Sequence, residues 1–202
     1  MAIDKKACFD PDRDSRLDPR NLKGLAHPLR VRLLGALRER GPATASMLAS
    51  MLGESSGATS YHLRQLADFG FIVEDEGRGS GRERWWKAAR PSTYFDYDSF
   101  SRDAESSMLG AEFLKSVAGG ASRRMLEWID ALPEAPEDWA RAGALNDWAL
   151  RISPEEALEL EREIEALVRR YPRHDPAGPE ESGRGFVAVQ LQILPKLSGG
   201  RR

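Results

Sequence analysis

The stretch that determines the fold of this chain runs from Thr44 to Gly70 and reads TASMLASMLGESSGATSYHLRQLADFG. Threonine 44 is a suitable cap for a first short helix, which the spacing predicts over residues 44–52, and Gly53 stops it. A turn with capping hydroxyls follows, and a second helix is predicted over residues 56–69 because four residues share one face: Thr59, Leu63, Leu66 and Ala67. Two short helices therefore meet across a tight turn.

The flanking residues extend this arrangement on both sides. Leucines at three- and four-residue spacing predict a helix from Pro28 to Arg40, preceded by a short helix that ends near Ala26, because proline favours the first position of a helix. After Gly70, the residues 71–73 and 84–87 read as a β-hairpin with a glycine-rich tip. The predicted fold class is mainly α with small β: an N-terminal winged helix-turn-helix domain followed by a C-terminal α+β domain.

In this arrangement the second helix of the pair enters the DNA major groove, which is about 12 Å wide and admits one helix. The residues opposite its apolar face should therefore be short or polar. Hydroxyls and helix N-terminal amides bind phosphates, and arginine pairs with phosphate or guanine. Arginines of the hairpin tip would clamp the adjacent backbone. The predicted DNA-binding residues are Ser56, Gly57, Ser60, Tyr61 and Arg64 on the helix, with Arg78, Arg82 and Arg84 on the wing, residues 77–84.

The motifs LKGLAHPLR at residues 22–30, SYHLRQL at 60–66 and GFI at 70–72 resemble those of the ArsR-like winged-helix transcriptional regulators. The resemblance covers about residues 17–90. It implies a homodimer on a near-palindromic operator, acting as a repressor that occludes a promoter, with recognition by Ser60, Tyr61 and Arg64. Metal-sensing members carry cysteines before the recognition helix or His, Asp and Glu ligands in the dimer helix. Here residues 45–51 hold no cysteine and the histidines are dispersed, so neither metal sensing nor any other cofactor is predicted.

Composition limits the other possibilities. The 202 residues include 41% apolar and 31% charged side chains, with no apolar run long enough to span a bilayer and no signal peptide, so we expect a cytoplasmic protein that is not in a membrane. The single Cys8 excludes a disulfide framework. Residues 16–90 carry 13 Lys and Arg against 8 Asp and Glu, whereas residues 91–182 carry 10 against 20. This partition suggests a polyanion partner for the first part. No catalytic motif is found, and an enzyme is not predicted.

Three segments are expected: a mobile tail at residues 1–16, the winged domain at 17–90, and a dimerisation domain at 91–202 that offers a site for an unknown small-molecule or protein effector. In the last segment we predict a helix over 101–117, ended by Gly119-Gly120, then a short helix around 125–129. Its inward stripe is Met108, Ala111, Leu114 and Val117. A capped helix is predicted over 154–171, with Leu160, Ile164, Leu167, Val168 and Tyr171 packed inward against a two-stranded antiparallel sheet of residues 144–152 and 186–194.

Each functional interpretation has a plainer alternative. The winged domain could be a protein–protein interaction module without specific DNA binding, since its recognition helix has one arginine and the sequence pI is near 6.0. The wing arginines could be a solvated turn. His27 is interpreted as structural, and His62 as a packing residue rather than a base reader. The apolar residues between helix 154–171 and the two predicted strands could line a hydrophobic pocket, or they could form an ordinary core. The direction of regulation and the identity of an effector are left open.

Overall fold

The computed structural model describes residues 14–78, 83–95, 100–101, 103–172, 174–176, 178 and 183–196. These residues divide into two compact units. The first unit contains the described residues up to 130 together with 174–176 and 178, and the second contains 131–172 and 183–196. Over the described residues, none of the helices is both long and apolar enough to cross a membrane.

Three helices form the centre of the first unit. They are α1 (Pro28–Arg40), α2 (Ala45–Leu52) and α3 (Ser56–Asp68), and a short 3-10 helix (Asn21–Gly24) precedes them. Pro28 occupies the first turn of α1, and His27 caps it by accepting a hydrogen bond at Nδ1 from the backbone N–H of Leu29, at 3.1 Å. These elements confirm the helices predicted upstream of the wing.

Two small sheets complete the unit. Strands β3 (Ile72–Glu74) and β4 (Trp85–Ala88) form the predicted antiparallel hairpin, with Val73 opposite Lys87, and β2 (Ala43–Thr44) pairs with the other edge of β4. The second sheet joins β1 (Asp14–Arg16) to β5 (Ser92–Tyr94) in parallel. The sequence did not predict β1, β2 or β5. Residues 14–16 were expected to belong to a mobile tail but are paired here, and the rest of that tail lies outside the described residues.

The core lies between the three helices and the wing. Its side chains are apolar and spaced as the helical periodicity predicts, and each is almost completely removed from water. Trp86 of β4 packs into it while Trp85 is only half-buried. The fully buried members include Leu17, Leu22, Leu25, Leu33, Leu37, Leu48, Leu63, Leu66, Phe71 and Ile72.

A single helix, α4 (Ala104–Ala131), replaces the two helices predicted between residues 101 and 129. The prediction that Gly119-Gly120 ends the first of them was wrong. A glycine ends a helix when it adopts positive φ, and neither of these glycines does. Strong helix formers on both sides carry the helix through them at a modest cost for each glycine.

The inward stripe predicted for this helix was also wrong. Met108 is 71% exposed, and Ala111, Leu114 and Val117 also lie on the exposed side. The buried residues are Ser106, Gly110, Phe113 and Ala121. Aromatic packing determines this orientation. The ring of Phe95 stacks on that of Phe100 at 4.6 Å and lies 5.7 Å from that of Phe113. A Cβ on Gly110 would lie 3.3 Å from the Phe95 ring, so the helix can pack closely against this ring because Gly110 has no side chain.

In the second unit, a 3-10 helix (Leu132–Glu134) is followed by α5 (Glu137–Ala142) and α6 (Pro154–Val168). The predicted capping box of α6 is confirmed: Ser153 Oγ accepts from Glu156 N at 3.2 Å, and Ser153 N donates to Glu156 Oε2 at 2.7 Å. The predicted strands at 144–152 and 186–194 are not strands here and belong to neither sheet. The predicted inward residues of α6 also remain partly or largely exposed, among them Tyr171 at 68%.

Candidate nucleic-acid interface

The turn between α2 and α3 is built from local capping interactions. Thr44 Oγ1 accepts from Met47 N at 3.3 Å at the start of α2, and Ser55 Oγ accepts from Ala58 N at 3.2 Å at the start of α3. Gly53 ends α2 with a φ of 69°, a left-handed conformation that glycine adopts without strain. The predicted Thr44 cap is therefore present at the start of α2, and one of the hydroxyls that the sequence offers in the turn, that of Ser55, caps the start of α3.

Helix α3 has one buried face and one open face. Thr59, Leu63 and Leu66 are completely buried against the core. On the opposite side the side chains predicted to bind DNA reach solvent, and a Cβ at Gly57 would meet no atom within 4 Å. Tyr61 is 55% exposed, Ser60 is half-buried, and Ser56, Gly57 and Arg64 are exposed. The structure thus places these five residues together on a single accessible surface of one helix.

Arg64 is exposed on α3, and none of the ion pairs between described residues includes it. It lies in the third turn of α3, one turn after Tyr61. An exposed guanidinium with no internal carboxylate retains all five of its donors for an external acceptor. The first turn of α3 adds free backbone N–H groups and the positive end of the helix dipole.

Arg32 of α1 holds the turn between α2 and α3 in place. This residue was not identified from the sequence. Its Nη2 donates to the backbone oxygen of Leu52 at 2.8 Å, and its Nη1 pairs with Glu54 Oε1 at 3.0 Å. The side chain therefore binds the last residue of α2 and the residue after Gly53. No motif marks this arginine, although it lies on α1 two residues after the arginine of the LKGLAHPLR motif.

A pair of histidines supports the first half of α3. The His62 ring lies 4.3 Å from that of His27 and 5.2 Å from that of Tyr61, so His62 is the packing residue that the sequence suggested. Burial lowers the pKa of His62, the charges of His27 and Arg30 lower it further, and Glu54 opposes them. A neutral His62 is therefore favoured beneath the exposed Tyr61.

The wing arginines are engaged within the chain. Arg78 Nε lies 3.4 Å from Asp75 Oδ2, and its guanidinium lies over the Trp85 ring at 5.9 Å. Arg84 Nε lies 3.9 Å from Glu74 Oε2. Both side chains are nevertheless exposed, at 48% and 65%. Arg82, the third predicted wing arginine, lies outside the described residues. The wing thus presents arginines that would exchange a carboxylate for a phosphate on binding.

Within the part of the chain that the structure describes, no group of three or more His, Cys, Asp or Glu side chains could hold a metal ion. His27 and His62 come together, but His27 Nδ1 already accepts the capping hydrogen bond. His174 lies elsewhere, with Nε2 2.7 Å from the backbone oxygen of Glu39.

Comparison with known proteins agrees with this geometry. A family model described as a helix-turn-helix domain matches residues 25–75. The match supports a helix-turn-helix DNA-binding domain and a general role in transcription regulation. It covers α1, α2, α3 and β3, and therefore both helices around the tight turn. A search of curated proteins finds no match to this chain.

Proposed function

We propose that this chain is a dimeric transcription regulator of the ArsR-like class that binds a near-palindromic operator through the open face of α3 and through its wing. The proposal rests on this face: Tyr61 and Arg64, which forms no ion pair with another described residue, project from a helix whose opposite side is buried at Thr59, Leu63 and Leu66. A rigid helix presents them to the major groove at little entropic cost. Ser56, Gly57 and Ser60 are short enough to let the helix approach phosphates and base edges.

The wing supplies the second set of contacts. Arg78, Arg82 and Arg84 would reach the backbone or minor groove beside the site of α3. Because Arg78 and Arg84 leave Asp75 and Glu74 to do so, each should contribute less than Arg64. We propose regulation by an effector, or by the dimer equilibrium, rather than by a metal ion.

Dimerisation is assigned to α4. Its stripe of Met108, Ala111, Leu114 and Val117 is exposed in the single chain and would pack against the same stripe of a second copy. Two recognition helices would then lie about one DNA turn apart, roughly 34–36 Å. We expect Leu114→Lys to weaken the dimer and the exposed neighbour Glu112→Lys to leave it intact, measured by sedimentation equilibrium. A wild-type monomer at micromolar concentration would contradict this assignment.

Fluorescence anisotropy tests the DNA-binding function. The full chain is titrated onto labelled DNA from upstream of its own gene and onto a scrambled duplex, at several salt concentrations. We expect at least roughly a thousandfold preference for the native fragment and an affinity that falls log-linearly with salt. The double variant Tyr61→Ala, Arg64→Ala should lose the preference, whereas Arg170→Ala, which removes the same charge from the second unit, should keep it.

Retained specific binding in the double variant would exclude α3 as the reading helix. If the chain binds neither duplex at any of these salt concentrations, the result would instead favour the protein–protein interaction module. In that case the open face of α3 would contact a protein, and the wing arginines would keep their internal carboxylates.

A further inference from the structure

His27 precedes α1 in the chain, yet it lies beside the open face of α3. Its ring lies 4.3 Å from the ring of His62, and the His62 ring lies 5.2 Å from that of Tyr61. Two successive ring contacts therefore connect His27 to the exposed tyrosine of that face. His27 is itself exposed, whereas His62 between the two is half-buried. The accessible surface that includes Tyr61 thus continues onto the start of α1.

The cap at the start of α1 determines which nitrogen of the His27 ring carries a proton. Nδ1 accepts the backbone N–H of Leu29 at 3.1 Å, so this nitrogen is unprotonated. The proton of the neutral imidazole is then on Nε2, because the hydrogen bond at one ring nitrogen sets the state of the other. None of the hydrogen bonds between described residues uses Nε2. An exposed side chain therefore offers one N–H donor, and the cap fixes the orientation of its ring.

The backbone of residues 27–31 adds no free donor at this end of α1. Pro28 has no N–H, and the N–H of Leu29 is used by the cap. The N–H groups of Arg30 and Val31 both donate to the backbone oxygen of His27, at 3.0 and 3.4 Å. A hydrogen bond from the first turn of α1 to a ligand must therefore come from the side chain of His27.

The charges near this donor favour an anion. Arg30 lies three residues after His27, on the same side of the chain one turn along. Its Nη2 donates to a backbone oxygen at 2.9 Å, and it forms no ion pair with another residue of the described part of the chain. Glu54, before α3, is already paired with Arg32 at 3.0 Å. The positive charge of Arg30 is thus not balanced by an ion pair and would attract an anion towards Nε2 of His27.

A DNA duplex that receives α3 in its major groove brings anions to this position. The groove is about 12 Å wide, and a phosphate backbone borders it on each side. A side chain that packs beside α3, two ring contacts from a residue that enters the groove, therefore lies close to one of these backbones. We propose that His27 is a further DNA-binding residue, whose Nε2–H donates to a phosphate oxygen at the edge of the groove. This inference deepens the proposed function and rests on it.

A neutral donor leaves a different signature in DNA binding from that of an arginine. It makes a hydrogen bond to phosphate without adding a positive charge, so its loss should not change the number of counterions released. A phosphate contact also carries no base sequence, so its loss should weaken binding to all duplexes alike. The contact of His27 should therefore contribute affinity, but neither salt dependence nor sequence preference.

Two substitutions separate the cap from the phosphate contact, because the two roles use different nitrogens of the ring. His27→Ser keeps an oxygen that caps a helix well, but its side chain is too short to replace Nε2. We expect it to raise the dissociation constant about tenfold on native and scrambled DNA, with the melting temperature unchanged. His27→Gln keeps an N–H donor of similar reach but is not a good cap. It should bind both duplexes within about twofold of wild type and melt roughly 4 °C lower.

The variants are titrated as full chains onto the two labelled duplexes at several salt concentrations, and their melting is followed by circular dichroism. His174→Ser is the matched control, since it removes a histidine near Glu39 at the other end of α1 and should not change the dissociation constant. Arg78→Ala should make the salt slope shallower, whereas His27→Ser should leave the slope at the wild-type value.

Three results would overturn the contact while the proposed function stands. His27→Ser could bind both duplexes as tightly as wild type, or lose affinity for the native fragment alone, which would mean that it displaces the reading residues of α3. Alternatively, affinity could fall in both His27 variants in step with their melting temperatures, as expected of a structural residue. A wild-type chain that binds neither duplex overturns the proposed function, and this contact with it.

Discussion

Gly24 lies where the 3-10 helix meets the end of α3, and we expect Gly24→Ala to destabilise the first unit by moving α3. A Cβ built on Gly24 would lie 2.6 Å from Phe69 Cγ, 2.7 Å from its Cβ and 2.8 Å from its Cδ2. Phe69 is the C-terminal cap residue of α3, so its Cβ cannot retreat without moving the helix backbone. Gly24 is also buried, which leaves the new methyl group no route to solvent.

The size of the effect follows from these three contacts. Carbon atoms pack at about 3.5–4.0 Å, so the ring and α3 must move away by about 1 Å. Overpacking of this kind costs about 1–3 kcal/mol. For a unit of this size, each kcal/mol of destabilisation lowers the melting temperature by roughly 4 °C. Alanine is a better helix former than glycine by about 1 kcal/mol, which offsets part of the loss.

A double-mutant cycle with Phe69→Ala isolates the clash. Urea unfolding followed by circular dichroism gives the free energy of unfolding of the four proteins, and hydrogen exchange of the α3 amides reports the displacement. Because alanine lacks Cγ and Cδ2, two of the three atoms that meet the new methyl group, we expect Gly24→Ala to cost less in the Phe69→Ala background, by about 0.5 kcal/mol or more. Strict additivity of the two substitutions would refute the reasoning.

Four further predictions concern the same unit. Arg64→Ala should weaken specific DNA binding by about 1–3 kcal/mol in anisotropy titrations while leaving the melting temperature unchanged; an equal loss on the scrambled duplex would contradict a reading role. Thr44→Ala should lower the free energy of unfolding by about 1 kcal/mol because Met47 N loses its cap, and Thr44→Ser, which restores the hydroxyl, should recover most of it in urea titrations. Because burial, His27 and Arg30 lower the pKa of His62 in the folded state, the unfolded chain takes up this proton first, and stability should fall as the pH drops below about 6.5. His62→Gln should flatten that dependence between pH 7.5 and 5.5, and an unchanged slope would contradict the assignment. Arg38 Nε and Nη2 donate to the backbone oxygens of Arg90 and Ser92 at 3.0 and 2.9 Å, and burial lowers its pKa to about 10, so it is charged at pH 7; Arg38→Gln should cost about 1.5–3 kcal/mol, measured by the urea midpoint.

The helix-turn-helix could be predicted because its signals are local. The caps Thr44 and Ser55, the stop at Gly53 and the 3.6-residue period of leucines all act within a few residues along the chain. The open face of α3 followed directly once its buried face was known. Its role in DNA binding, by contrast, depends on a partner, and neither periodicity nor burial reveals a base sequence.

Most of the features that the sequence did not predict depend on contacts between residues that are far apart along the chain. The parallel pairing of residues 14–16 with 92–94 joins segments almost eighty positions apart and only three residues long, too short for a pattern to be recognised. The orientation of α4 is decided by Phe95 and Phe100, which precede the helix, and the apolar stripe through Met108 pointed to the wrong side. Gly119-Gly120 resembled a helix end because sequence alone does not disclose φ.

The pairing of the wing arginines bears on how quickly the protein finds DNA. Between residues 74 and 87 the described side chains include Glu74, Asp75, Glu76 and Glu83 against Arg78, Arg84 and Lys87, so this surface has almost no net charge. Long-range attraction accelerates association only when such a surface is strongly positive. The wing should therefore add little to the rate at which the chain encounters DNA, and the time spent on a site should depend on contacts that form only after the wing arginines have exchanged their partners.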